Sequence, residues 1–158
     1  MIIRFKIVCM VLGIAFIVLP LSPSLSAGHW DKTTADAAYA LQNKCKTELS
    51  ARERFYGEMK GFRSHFARKY SEKKDGTTYN ALDGSIKIME ITDGLIEKIN
   101  AMCDDFRGAA EKQDKPKFEQ TRQRWEQFQN RKIKADIQIS RLVKSVKGYY
   151  QQKAETME

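Results

Sequence analysis

Apolar side chains recur three and four residues apart along most of this chain, and strand-type alternation is absent. The first run reads Leu41, Cys45, Leu49, Tyr56, Met59, Phe62, Phe66 and Tyr70, with Arg52 interrupting it. The second reads Leu82, Ile86, Met89, Ile96, Ile99, Cys103 and Phe106. The third reads Phe118, Thr121, Trp125, Phe128, Ala135, Ile139, Leu142, Val146 and Tyr149. Short polar junctions around Asp75-Gly76 and at Gln113-Asp114-Lys115-Pro116 separate them, which favours antiparallel neighbours. The pattern predicts an all-α fold, an elongated up-down-up three-helix bundle with coiled-coil-like packing. The helices are expected over about 32–72, 80–112 and 116–153.

Register follows from the thiols. Cys45 lies 30 residues before Asp75 and Cys103 lies 28 after it, so a hairpin turning there brings them side by side. Partners across a hairpin share a constant residue-number sum, 148 for this pair. The same sum sets Met59 beside Met89, Phe62 beside Ile86, and Phe66 beside Leu82. A sum near 231 across the second turn brings Phe128, Leu142 and Tyr149 to the layers of Cys103, Met89 and Leu82. A Cys45–Cys103 disulfide is therefore expected to staple the bundle.

Some positions depart from ideal helix. Gly84 and Gly94 each cost about 1 kcal/mol relative to Ala, which suggests a second helix starting near Leu82 with a kink at Gly94. Ser50-Ala51-Arg52-Glu53 has capping-box form, but its helix-forming surroundings favour an unbroken first helix. Gly57 and Gly61 have small-xxx-small spacing, read as closer packing or a mild bend.

The first 27 residues read as a signal peptide. Arg4 and Lys6 precede an apolar run from Ile7 to Leu19, and prolines then lead to small residues, with cleavage near Ser26 or Ala27. The run is short for a membrane span. Cleavage removes Cys9 and leaves two cysteines, the pair expected of a disulfide in the periplasm or outside the cell. It leaves residues 28–158 as one domain, with 26 bases against 20 acids, a net charge of +6 against +8 for the whole chain.

Candidate chemistry is sparse. His29 and His65 are the only histidines and have no partner at ligand spacing, so no metal site is expected. The Cys-x-x-Cys-His haem motif is missing, and Met59, Met89 and Met102 fit core layers better than axial ligation, so no cofactor is expected. No Gly-x-Ser-x-Gly elbow occurs, and the second-helix acids read as a solvated face. No catalytic residue is assigned.

Charge carries more information. From Lys115 to Lys153 there are eleven bases against three acids. In a bundle whose first and third helices run parallel, bases gather toward the Asp75 end. The candidate contact surface is Lys60, Arg63, Lys69, Lys73, Lys74, Arg141, Lys144 and Lys147. Such a pole steers toward acidic protein faces or anionic envelope surfaces; nucleic acid does not suit an exported chain. Phe55, Tyr39, Tyr150 and Trp30 fall off the core stripe, either as a contact patch or as a widening of the stripe. The expected function is non-enzymatic: a monomeric envelope protein binding another envelope or secreted protein, as an assembly factor or accessory part of a surface or secretion machine. The alternatives are a periplasmic chaperone or stress protein, and an immunity protein or inhibitor of an envelope-acting toxin or lytic enzyme.

Overall fold

The computed structural model describes residues 29–70 and 76–155, and the side chains as far as Gln152. The leader with its cleavage site, Asp75, Lys73 and Lys74 lie outside the described residues. Three helices follow in order: α1 (Lys32–Lys69), α2 (Gly76–Glu111) and α3 (Lys115–Glu155). At 1.5 Å per residue they are about 55–60 Å long. The chain is an up-down-up bundle, with one disulfide joining Cys45 of α1 to Cys103 of α2 at a Cα separation of 5.7 Å.

The helix ends are fixed by local chemistry. Asp31 caps α1: its Oδ1 accepts the Thr34 N–H at 2.7 Å, which holds the Asp31 carboxyl below its usual range. At the second turn Gln113 adopts φ 51°, its N–H donates to the Ala110 carbonyl, and the Asp114 N–H donates to the Ala109 carbonyl. That is a Schellman ending with glutamine where glycine is usual. Asp114 at once caps α3, its Oδ1 accepting the Lys117 N–H at 2.9 Å, and Pro116 fits the first turn where its missing N–H costs nothing. One residue thus closes α2 and opens α3.

Three apolar clusters run down the bundle. Cys45, Cys103, Phe106, Phe118 and Trp125 dominate the first, with Phe128 packed against it. Met59, Ile88, Leu95, Ile139 and Val146 form the second, with Met89 and Leu142 alongside. Phe66, Tyr70 and Ala81 form the third, with Leu82 and Tyr149 alongside. The three layers expected across all three helices each fall within one cluster. α2 is the central element: it packs along both outer helices, which approach each other closely at few backbone positions.

Three expectations are corrected. α2 begins at Gly76 rather than near 80, and runs unbroken through Gly84 and Gly94. Ile86, expected opposite Phe62 in the core, is 36% exposed. The face that packs is instead lined by small residues, with Ala81 and Ser85 fully buried and Gly84 buried too. Gly57 and Gly61 make no close contact, since a Cβ at either would meet open space. Gly84 is the glycine at a close approach: a Cβ there would lie 2.7 Å from Val146 Cγ2.

These glycines should respond to substitution with opposite signs. Gly57→Ala and Gly61→Ala are each expected to stabilise the protein by about 0.5–1 kcal/mol, by limiting the unfolded chain. Gly84→Ala is expected to cost about 1 kcal/mol net, because overpacking against a stiff β-branched neighbour outweighs the helix-propensity gain. Urea denaturation midpoints read all three, and a stabilised Gly84→Ala protein would refute the close α2–α3 approach.

Three buried hydroxyls are satisfied within their own helices. Ser85 donates to the Leu82 carbonyl, Thr92 to that of Ile88 and Thr121 to that of Lys117. Of the off-stripe aromatics, Trp30, Phe55 and Tyr150 widen the core, whereas Tyr39 stays 68% exposed.

Candidate functional site

Lys60 and Lys69 on α1 and Arg141 and Lys144 on α3 are exposed; Arg63 and Lys147 are half-buried. All six lie toward the end of the bundle away from the disulfide. Lys69 Nζ sits 5.3 Å from the Tyr70 ring centre and 5.9 Å from that of Tyr150, a cation–π contact at the α1–α3 seam. Arg63 Nε is buried with no hydrogen-bond partner.

Ion pairing divides the molecule. Near the disulfide, Asp105 of α2 accepts from Arg124 at 2.8 Å and Lys117 at 3.1 Å, tying α2 to α3. Partial burial opposes ionisation of Asp105, but the two bases prevail and hold its carboxyl below the usual range. Arg107 pairs with Asp104, and Arg122 with Glu119 and Glu126, in the same half. In the far half the one ion pair among the described residues is Lys87–Asp83, within α2. Lys60, Arg63, Arg68, Lys69, Arg141, Lys144 and Lys147 make none among the described residues. Between Phe55 and Tyr70 on α1, and between Ile137 and Gln152 on α3, Glu58 is the only carboxylate. Positive charge there is in large excess on the two parallel helices.

Mid-bundle, the sequence reading missed a four-residue network. Glu48 accepts from Arg52 at 3.0 Å and from Lys132 at 2.9 Å, and Arg52 reaches Asp136 at 2.6 Å. Glu48 and Lys132 are 11% exposed, Arg52 16% and Asp136 37%. Desolvation opposes both charges at Glu48 and Arg52. The partners overcome it, lowering the Glu48 carboxyl and raising the Arg52 guanidinium. The signal was present in the sequence. Arg52 stands seven residues from both Cys45 and Met59, and Lys132 seven from both Trp125 and Ile139, so both bases occupy core heptad positions.

Among the described residues no group of three His, Cys, Asp or Glu side chains converges on a possible metal position. No helix among them is long and apolar enough to cross a membrane. A groove of about 260 Å³ between α2 and α3 is lined by Asn80, Asp83, Lys87, Ser145 and Tyr149 among others. It offers no nucleophile paired with a base. The disulfide fits an oxidising compartment. No protein-family model matches the chain, and no curated protein or solved structure matches it.

Proposed function

We propose that this is an exported, non-enzymatic helical protein of the cell envelope that works by binding another protein through its basic half, as an assembly factor or accessory component of a surface or secretion machine. The observation that carries the reading is that, among the described residues, the bases of α1 and α3 beyond Phe55 and Ile137 make no ion pair, against dense pairing near the disulfide. Cations that outnumber the nearby carboxylates and are not tied into ion pairs raise the encounter rate with an acidic surface and lose little on docking. The disulfide supports export, and the long rigid helices supply a pre-organised face. Chemical crosslinking in native envelopes tests it. One dominant protein should be recovered with the natural chain and lost when Lys60 and Lys144 are replaced by Glu. Identical recovery with both chains would defeat the proposal.

A further inference from the structure

The geometry points to the outer face of α3, from Asn130 to Gly148, as a docking strip for an acidic amphipathic helix of a partner protein. This rests on the function proposed above, and narrows a basic half to one helix face and one kind of occupant.

α3 turns Phe118, Trp125, Ile139 and Val146 into the core. Its opposite side carries Ile133 and Ile137, 51% and 48% exposed, which join no core cluster. A single exposed isoleucine needs no explanation. Two on successive turns form adjacent knobs on the helix surface. Around them Lys134, Arg141 and Lys144 are exposed and Lys147 half-buried, and none is ion-paired among the described residues. The one carboxylate between Gln127 and Gln152 is Asp136, which is engaged by Arg52 of α1. An apolar centre beside uncompensated charge has the anatomy of a protein interface.

The occupant follows by complementarity. Apolar residues four apart on a partner helix would straddle the isoleucine pair, and flanking Asp or Glu would meet the four bases. A second copy is disfavoured, because two α3 faces would oppose cation to cation. A membrane is disfavoured because half-exposed isoleucines insert shallowly, and the nearby Tyr150 is turned onto Phe62 and Phe66 instead.

The test uses the purified protein and a fluorescent synthetic helix with leucines four positions apart flanked by glutamates. A lysine-flanked counterpart and phosphatidylglycerol vesicles serve as comparisons. The acidic helix should bind, and the Ile133→Ser, Ile137→Ser double variant should weaken it by about tenfold or more. Arg141→Glu with Lys144→Glu should weaken it comparably, with unchanged circular dichroism, and the lysine-flanked helix should not bind. Undiminished binding to the isoleucine variant overturns the strip while leaving a purely electrostatic basic surface standing. Isoleucine-dependent vesicle binding, or an isoleucine-dependent dimer in sedimentation, overturns it in favour of those occupants. No binding of the acidic helix also overturns it, and the envelope crosslinking then decides the broader reading separately.

Discussion

Replacing Cys45 and Cys103 together by alanine is expected to lower stability by about 4 kcal/mol on loop-closure entropy, and the melting temperature by roughly 10–20 °C. The bond spans 58 residues, so its loss frees a long loop in the unfolded chain. The native state has little to put in its place. The helices are long and thin, and Cys45 is fully buried at the centre of the first cluster. Truncation to alanine adds a small cavity to the entropic loss. Scanning calorimetry of the double variant, beside the natural protein with and without reductant, separates the two contributions. A shift below about 2 °C would mean the loop-closure account fails here.

The network of Glu48, Arg52, Lys132 and Asp136 should show a reversal of sign. Arg52→Ala alone strands Asp136 at the seam and leaves Glu48 with Lys132 only. It is expected to cost about 2 kcal/mol, between the values for exposed and fully buried pairs because Asp136 is substantially solvated. Replacing Glu48, Arg52 and Lys132 by leucine, with Asp136→Ala, is expected instead to gain about 1–2 kcal/mol, since an apolar seam avoids desolvating charge. The natural network also ties stability to pH. The folded Glu48 and Asp105 carboxyls titrate below their unfolded values. Their contribution is therefore full above the unfolded range of about 4–4.5 and is lost as pH falls through the lower folded values. Denaturant midpoints measured between neutral pH and pH 3 should fall, and the apolar seam variant should fall less. Parallel profiles for the two proteins would remove Glu48 from this account.

The architecture was readable because apolar spacing, turn residues and one pair of thiols agree on a single alignment. The two sums imply an offset of 83 positions between the parallel helices; Glu48–Lys132, Arg52–Asp136 and Phe66–Tyr150 each span 84. Small residues were what spacing hid. Ala81, Gly84, Ser85 and Thr92 are buried because α2 is the middle helix and its neighbours come close. Large apolar residues dominate the helical spacing, which sets Ile86 inside in their stead. The network was misread as one interrupting arginine, because a core charge is intelligible only with its partners on another helix in view. The basic residues were legible as a gradient along the chain, but their lack of ion pairs is a three-dimensional fact. The isoleucine pair was invisible as a feature for a similar reason: only the packed helix shows which side faces out.

The turn at Asp114 and the disulfide lie at the same pole of the bundle. At that pole all three rods are fastened: the first to the second through sulfur, the second to the third through a hinge with no slack. At the far pole the first rod is continuous with the second through residues 71–75, and among the described residues the third is held there by packing alone, as where the Tyr150 ring meets Phe62 and Phe66. A protease that severed those five residues would leave a single molecule, its pieces still bolted together until a reductant reached the other end.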